Sequence, residues 1–370
     1  MEPGPEDVLR PFSVLPVSGA ADHVYPFAMP TMQDALTFVA AHETPWPRDL
    51  KAHLESGFFE PPPDNALLGP VYPRGPVNAI VFQHGRQVGE TGDTGQIDQT
   101  FSVAKSYLSL LAGIAHGDGL IPDIDAPVRA LVDDGGFDGP NASVTWRHLL
   151  TNTSEWEGTL FDKADSIDRG RQLATEGGAR KGDRALQAPG THWEYNDVRV
   201  NRLSLSLMTV FGKPLPDIFA NRVMIPLGAS NDWRWEGYGN AWVEIGGLPM
   251  QAVPGGSHWG GGISIHARDM ARVGLMVAAG GVWEGRQLVP ADWIAAATTP
   301  CDLNPQYGRL IWLNPAREKW PAASGRAYCF SGAGGNTTWV EPEEGIVAVF
   351  RWLDPAHLNE AMGLVRSALA

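Results

Sequence analysis

The pattern of hydrophobic and polar positions predicts strands near both ends of the chain. Residues 77–91, VNAIVFQHGRQVGET, place apolar and β-branched residues on either side of HGRQ, which is typical of a β-hairpin with Gly85 in its turn. After residue 290, the segments YGRLIWLN, RAYCFSG, NTTWVEP and GIVAVFRWL are short, rich in strand-forming residues and separated by turn residues. We expect them to form an antiparallel meander that extends the sheet begun by the hairpin.

Helical periodicity dominates the rest of the chain. In SVAKSYLSLLAGIAHGDG, apolar residues recur at helical spacing until Gly117, and so many faces are apolar that the helix should be central and buried. Other helices are predicted at MQDALTFVAAH, at VTWRHLL with Thr145 as N-cap, and at VRVNRLSLSLMTVFG, which Gly212 ends. The C-terminal HLNEAMGLVRSALA should form a helix that covers one face of the sheet.

These elements indicate an α+β fold. The simplest architecture is a discontinuous α/β lobe, residues 1–124 and 262–370, with an inserted, mostly helical lobe, residues 125–261. Within the insert, residues 231–262 are dense in Trp and Gly and predict loops with aromatic walls. A cleft between two lobes is a common place for a small-molecule site.

Charge and hydropathy narrow the class of partner. The 370 residues include 28 basic and 42 acidic residues, a net charge of −14 that repels nucleic-acid backbones and anionic membranes. No apolar run approaches the ~18 residues of a membrane span. Residues 1–19 carry acid and proline instead of the basic and apolar stretches of a signal peptide. We therefore expect a cytoplasmic protein that acts on a small molecule, with its oligomeric state left open.

The sequence predicts neither a metal nor a cofactor. The ten histidines are scattered without HExxH or CxxC spacing, and no glycine-rich nucleotide motif precedes a helix. The two cysteines, Cys301 and Cys329, are expected to be reduced and packed against apolar neighbours. In FDKADSIDRG, Asp162, Asp165 and Asp168 lack the spacing of a calcium loop, which favours a solvated loop.

Candidate chemistry begins at TFSVAKS, residues 100–106. A helix would place Ser102 and Lys105, three residues apart, on the same face. A serine in the first turn keeps an unpaired backbone N–H that could bind an oxyanion, and a desolvated lysine could act as a base. The alternative is an ordinary N-cap serine followed by a solvated lysine.

Two further segments extend this candidate site. In PGTHWEYNDV, Tyr195-Asn196-Asp197 stands just before a predicted helix. In FSGAGGN, residues 330–336, glycines would let a substrate approach the strand, and the Ala333 N–H could be a second oxyanion donor.

Each segment also has a structural alternative. Tyr195 could donate to a backbone carbonyl, Asp197 could cap the helix starting near Val198, and residues 331–335 could form a tight strand turn. His258, in GGSHWGGG, is more typical of a structural hydrogen-bonding residue than of a base.

Taken in order, these motifs resemble those of the penicillin-recognising serine hydrolases. The chain is most similar to the class C β-lactamase-like branch, which includes family VIII carboxylesterases and 6-aminohexanoate-dimer hydrolases. The resemblance covers about residues 75–365 and includes LLTNTSEWEG at 149–158 and GGGISIHARDMARVGLMVAAGG at 260–281. It implies a β-lactamase/transpeptidase-like fold, an antiparallel sheet flanked by helices.

The resemblance also implies roles. Ser102 would form an acyl-enzyme, and Lys105 and Tyr195 would together take the serine proton and return it to the leaving group. The backbone N–H groups of Ser102 and Ala333 would hold the oxyanion before water releases the acyl group. Substrate contacts are expected from Asp197, Ser331, Gly332, Trp156 and Trp259.

Two residues depart from the family pattern. Asp197 stands where the family usually has Asn, and its carboxylate would favour a protonated Lys105 and make Tyr195 the base. Phe330 replaces the Lys or His that usually faces a substrate carboxylate. An uncharged acyl group therefore fits better, and Trp156, Trp193, Trp259 and Trp312 would suit an apolar or flat substrate.

The sequence thus predicts a serine hydrolase that cleaves an ester or amide of a small molecule. β-Lactamase or D-amino-acid peptidase activity and acyl transfer to a small nucleophile are alternatives. A catalytically silent binding protein is a further alternative, supported by Asp197 and Phe330 but opposed by the intact Ser102, Lys105 and Tyr195.

Overall fold

The computed structural model describes residues 29–171 and 184–370. Residues 1–19, on which the expectation about a signal peptide rests, lie outside the described residues. None of the helices within the two described ranges has the length and apolar character needed to cross a membrane.

The helices form where the sequence predicts them, and their ends follow from local capping. Thr145 accepts from the His148 backbone N–H in a reciprocal capping box, and Gly212 ends its helix in the left-handed conformation, with φ 60°. The α-helices are α1 (Met32–Ala41), α2 (Leu50–Glu55), α3 (Val103–Gly117), α4 (Trp146–Leu150), α5 (Asp197–Phe211), α6 (Leu215–Phe219), α7 (Ala267–Ala278), α8 (Ala291–Ala297) and α9 (Leu358–Leu369). Short 3-10 helices span Val128–Ala130, Gly139–Ser143, Asp165–Asp168 and Pro355–His357, and a π-helical turn spans Ala220–Met224.

Strands occur at both ends of the described chain and also within the insert. They are β1 (Asn78–Gln83), β2 (Arg86–Thr91), β3 (Asp98–Gln99), β4 (Thr159–Leu160), β5 (Lys163–Ala164), β6 (Arg234–Glu236), β7 (Trp242–Ile245), β8 (Leu248–Gln251), β9 (Gly262–Ile265), β10 (Val282–Trp283), β11 (Arg286–Gln287), β12 (Trp312–Leu313), β13 (Tyr328–Gly332), β14 (Asn336–Glu341) and β15 (Ile346–Arg351).

The main sheet joins the two ends of the chain. Its strand order is β12-β13-β14-β15-β1-β2, and every neighbouring pair is antiparallel. The β1–β2 hairpin turns at His84 and Gly85, with φ 49° and 77°. The predicted hairpin and meander are therefore confirmed, whereas the division into two lobes stays a prediction.

Both faces of this sheet are covered. Side chains of successive strand residues point to opposite faces, so Trp339, Ala348 and Phe350 pack with α1 and α9. Val340 and Val349 join the larger core on the other face, which α3 and α7 cover. Every residue of α3 from 103 to 115 is buried, which confirms the prediction of a central helix.

The prediction of loops for residues 231–262 is wrong in part. This segment contains β6 and the β7–β8 hairpin and leads into β9, the middle strand of a small sheet with order β3-β9-β6. The strands are only three or four residues long, and β9 is completed by the distant strand β3, so local composition dense in Trp and Gly does not reveal them.

Arg351 connects the two sheets. Its buried side chain at the end of β15 donates to Asn336 Oδ1 at 2.7 Å and to the backbone oxygen of Ile265 in β9 at 2.6 Å. It also donates to the backbone oxygens of Asp98 and Gln99 in β3, at 3.0 and 3.1 Å. This guanidinium therefore fixes the strand that leads into the start of α3.

We expect Arg351→Met to lower the free energy of unfolding by about 3 kcal/mol or more, because the buried carbonyl groups lose their donors without gaining water. Urea denaturation measures the change. Arg86→Met, at an exposed position of β2, is the control and should change stability little. Equal, small effects of both substitutions would contradict this role of Arg351.

Candidate active site

Ser102 and Lys105 contact each other at the start of α3. Ser102 is the N-cap residue, yet its side chain makes no capping hydrogen bond. Instead, Lys105 Nζ donates to Ser102 Oγ at 2.9 Å, and Lys105 is only 1% exposed. The alternative of a capping serine with a solvated lysine is therefore wrong.

The chain reaches Ser102 through an unusual backbone turn. Phe101 has a φ of 54°, the left-handed region that is costly for a residue with a bulky side chain. Its ring packs edge-to-face against Trp46 and Trp352, with centroid distances of 5.4 and 6.3 Å. This packing holds the turn that directs the chain from β3 into α3.

Gly332 brings the end of β13 against the start of α3. A Cβ at this position would lie 2.0 Å from the Thr100 backbone oxygen and 3.0 Å from the Ser102 nitrogen, so only glycine fits. Within residues 29–171 and 184–370, the backbone N–H groups of Ser102 and Ala333 have no hydrogen-bond acceptor. Neither donor is taken up by a described backbone or side-chain acceptor, and Ser331, which precedes Gly332 on β13, is partly exposed.

Lys105 uses all three hydrogens of an ammonium group. Its Nζ donates to Ser102 Oγ at 2.9 Å, to the Gly255 backbone oxygen at 3.3 Å and to the Asp197 carboxylate. An ammonium group can donate to all three at once, which fits a protonated lysine.

The electrostatic balance of this pair points the same way. Burial opposes the charge on Lys105, but Asp197 and Tyr195 together outweigh it and raise the pKa of Lys105 above its ordinary value. Burial likewise opposes the charge on Asp197, but Lys105, His258 and Arg171 together outweigh it and hold the pKa of Asp197 well below its usual range. Both groups are charged at neutral pH.

Tyr195 is positioned by backbone hydrogen bonds between two of the motif segments. Gly190 N donates to the Thr153 oxygen at 2.8 Å, and Glu194 N donates to the Asn152 oxygen at 2.9 Å. The LLTNTSEWEG segment thereby positions the segment that contains Tyr195.

The Tyr195 ring lies 4.8 Å from the Lys105 ammonium. Burial raises the pKa of Tyr195, and the nearby Lys105 charge opposes this only in part. The phenol is therefore neutral at neutral pH.

Asn196, not Asp197, caps helix α5. The Asn196 side chain accepts from the Arg199 N–H at 3.1 Å, and Asp197 is the first helical residue. The Asp197 N–H donates to Asp168 Oδ2 at 2.6 Å. The capping interpretation of Asp197 is thus wrong, and its carboxylate is free to pair with Lys105.

The solvated loop predicted for FDKADSIDRG is also wrong for two of its three acids. Asp162 is exposed, but Asp165 and Asp168 are 2% and 0% exposed. Asp165 pairs with Arg169 at 2.8 Å and with Arg199 at 3.2 Å. The latter partner lies 34 residues away, so the spacing within the segment could not indicate it.

Arg171 forms the centre of a second charged group behind the Lys105–Asp197 pair. Its guanidinium contacts Asp168 at 2.6 Å, Glu60 at 2.8 Å, Asp197 Oδ2 at 2.9 Å and His258 Nδ1 at 2.9 Å. One potential ligand atom from each of Glu60, Asp168 and His258 lies within 4.8 Å of the others, but Arg171 contacts all three and supplies the positive charge there.

His258 occupies the position of a hydrogen-bonding structural residue, as its loop context suggests. It is 6% exposed, its Nδ1 lies 3.1 Å from Asp197 Oδ2, and its Nε2 lies 3.3 Å from Glu60. Its ring stacks on Trp259 with a centroid distance of 4.2 Å.

An aromatic wall adjoins the cluster, but only two of the four tryptophans suggested by the sequence belong to it. Trp312 stacks on Tyr195 at 5.8 Å, and Trp193 lies 6.1 Å from Trp312; both are partly exposed. Trp156 and Trp259 are buried, and each donates its indole N–H to a backbone carbonyl. The expected substrate contacts of these two residues are therefore wrong, because their rings are core.

Phe330 lies in the core beneath β13. It is fully buried, and its ring meets Tyr107 of α3 edge-to-face at 6.3 Å. The position where the resemblance implies a cation is thus occupied by an apolar side chain that packs against α3.

Sequence reasoning missed the groups that surround the ion pair from behind. Arg171 and Glu60 stand in segments without any motif. Gly256 also belongs to no predicted site, although a Cβ there would lie 3.2 Å from Lys105 Nζ and 3.3 Å from Asp197 Oδ1. The adjacent glycines of GGSHWGGG were the one signal that could have indicated a close approach to a site.

Comparisons with known proteins identify the family and the fold. The family model described as Beta-lactamase matches residues 74–352. A search of curated protein sequences finds no significant match.

Solved structures share the fold at low sequence identity. A family VIII carboxylesterase is 18% identical with a TM-score of 0.58, covering 79% of this chain and 92% of its own. A penicillin-binding protein homologue from Caulobacter crescentus is 17% identical with a TM-score of 0.58, covering 87% and 98%. A hydrolase with promiscuous acyltransferase activity is 15% identical with a TM-score of 0.55, covering 86% and 98%. The β-lactamase/transpeptidase-like fold predicted from the sequence is confirmed.

We expect Gly332→Ala to slow fluorophosphonate labelling of Ser102 by about 100-fold, because the added Cβ forces β13 and its N–H donors away from α3. Gly239→Ala is the matched control, since a Cβ there meets only the Leu68 oxygen at 3.6 Å. Labelling rates and circular dichroism of both variants test this. Unchanged labelling of folded Gly332→Ala would rule out the tight fit.

Proposed function

The chain belongs to the beta-lactamase family of serine hydrolases, and on this premise we propose that it cleaves an ester or amide of a small molecule through an acyl-enzyme on Ser102. The observation that supports this most directly is the 2.9 Å contact between Ser102 Oγ and Lys105 Nζ, whose ammonium is at the same time buried in an ion pair with Asp197. A lysine held in this way orients the serine hydroxyl and stabilises negative charge that develops on its oxygen.

Tyr195 is the group that takes the serine proton. All three N–H groups of Lys105 face acceptors, so the protonated lysine has no lone pair to offer. In the reactive minority form, the Tyr195 phenolate accepts the proton as Ser102 Oγ bonds to the substrate carbonyl carbon. The same proton then passes to the departing alcohol or amine, and water cleaves the acyl–Ser102 bond in a second step.

The backbone donors would bind the oxyanion. This role is supported by the contact between β13 and α3, where Gly332 permits the strand end, and with it the Ala333 N–H, to approach the backbone of Ser102. Two such donors stabilise the tetrahedral intermediate more than the planar substrate.

The substrate that fits best has an uncharged acyl group. Phe330 is buried and brings no cation to the cleft, while Trp193 and Trp312 offer partly exposed aromatic faces beside Tyr195. Such faces favour apolar or flat groups. Asp197 binds Lys105 and Arg171 through its two oxygens, so it has the role of fixing Lys105 instead of binding substrate.

Hydrolysis of p-nitrophenyl butyrate should depend on Ser102. Ser102→Ala is expected to lower kcat/KM about 1000-fold or more, because the nucleophile is lost. Ser109→Ala, which removes a buried hydroxyl from the same helix, is the control and should keep most of the activity. Nitrocefin should be turned over at least about 100-fold more slowly than the ester; equally fast turnover would contradict an uncharged acyl site, and activity that survives Ser102→Ala would contradict the mechanism.

The pH profile should rise into the alkaline range. Both Lys105 and Tyr195 have pKa values raised above their ordinary values, so both are protonated at neutral pH, and the proton acceptor becomes available only as pH increases. We therefore expect kcat/KM to rise about tenfold per pH unit from pH 7 to 9, after subtraction of the Ser102→Ala background. A profile that is already flat above pH 7 would show an acceptor with an ordinary or lowered pKa and would contradict this assignment.

A further inference from the structure

We propose that Asp197 and Arg171 set the pH range of the reaction with opposite sign, Arg171 acting as a positioning residue that shares the Asp197 carboxylate with Lys105. The inference rests on the proposed function, since it concerns the proton that leaves Ser102. It assigns a role to a residue that belongs to none of the three sequence motifs.

The two oxygens of Asp197 have different partners. Oδ1 accepts from Lys105 Nζ, whereas Oδ2 accepts from Arg171 Nη1 at 2.9 Å and lies 3.1 Å from His258 Nδ1. The Asp197 side chain is 9% exposed, so water does not compete for these positions. The carboxylate is therefore divided between a cation that contacts Ser102 and a cation that does not.

Arg171 is held in place independently of Lys105. Its guanidinium contacts the carboxylates of Asp168 at 2.6 Å and Glu60 at 2.8 Å, and its side chain is 11% exposed. Asp168 is itself fixed, because it accepts from the Asp197 backbone N–H at the start of α5. Removal of the Asp197 charge should thus leave Arg171 near its present position.

Groups from several elements face the Lys105–Asp197 pair, and all contribute to its potential. They are Tyr195 from the loop before α5, Asp168 and Arg171 from the segment after β5, Glu60 from the segment after α2, His258 from the loop before β9, Tyr238 from the loop after β6 and Tyr307 from the segment before β12. Of these, Arg171 contacts Asp197 through an ion pair that no pH near neutrality can abolish.

The two charges act on the serine proton in opposite directions. The negative charge of Asp197 holds protons on Lys105 and Tyr195, and so moves the reaction to higher pH. The positive charge of Arg171 offsets part of that effect and moves the reaction back to lower pH. Simple loss of structure would lower the rate without producing shifts of opposite sign.

The test is the pH dependence of kcat/KM for p-nitrophenyl butyrate in the full chain. Asp197→Asn preserves the shape of the side chain and should move the inflection about 1 to 3 pH units toward acid. Adding Arg171→Gln to Asp197→Asn should move the inflection about 1 unit back toward alkali, within the measurable range. Arg171→Lys in the same Asp197→Asn background keeps the positive charge, so its inflection should stay close to that of Asp197→Asn alone.

Arg169→Gln is the matched control. Arg169 lies in the same segment, pairs with Asp165 at 2.8 Å and has a side chain that is 13% exposed, but it does not contact Asp197. Its substitution should leave the inflection in place.

Several outcomes would overturn the inference. An inflection that Asp197→Asn leaves unchanged, or that Arg171→Gln moves toward acid, would contradict it, as would an equal shift from Arg169→Gln. If the double variant does not fold, the single Arg171→Gln variant decides, because its inflection should lie on the alkaline side of wild type. Absence of any wild-type turnover would instead reject the proposed function, whereas turnover with unshifted variants would reject only the roles of Asp197 and Arg171.

Discussion

The Lys105 ammonium lies almost entirely out of water, and a charge in such a place persists only with an opposite charge in contact. Asp197 provides it, and the pairing requires α3 and α5 to pack directly against each other. A Cβ at Gly256 would lie 3.2 Å from Lys105 Nζ and 3.3 Å from Asp197 Oδ1, so glycine lets the backbone pass close beside the pair. The remaining hydrogen of the ammonium then points to Ser102 Oγ, so the same interaction that satisfies a buried charge also orients the serine.

Elements outside the ion pair serve to place the serine beside it. Arg351 ties the main sheet to β3, the strand that leads into α3, and Phe101 turns the chain at the junction. Gly332 lets β13 approach until its last peptide groups stand next to Ser102. Backbone donors and nucleophile are thus brought together by contacts between sheet and helix, which are rigid parts of the fold.

Local patterns predicted most of the fold and the residues at its three motifs. Helix α3, the β1–β2 hairpin and the C-terminal meander follow from periodicity and turn residues, which are properties of neighbouring positions. The charged group behind the site could not be predicted in this way, because Glu60, Arg171 and His258 meet only after folding. For the same reason the sequence predicts a solvated Asp168 and a cleft position for Trp156 and Trp259, although tertiary packing buries all three.

The central claim is that Ser102 becomes acylated because Lys105 and Tyr195 are arranged around it. Mass spectrometry of enzyme quenched with acid during turnover of p-nitrophenyl butyrate tests this claim most directly. The account predicts a butyryl adduct on the peptide that contains Ser102, which disappears as the ester is exhausted. An adduct on another residue would contradict it. Steady turnover with no adduct on Ser102 at any quenching time would contradict it as well.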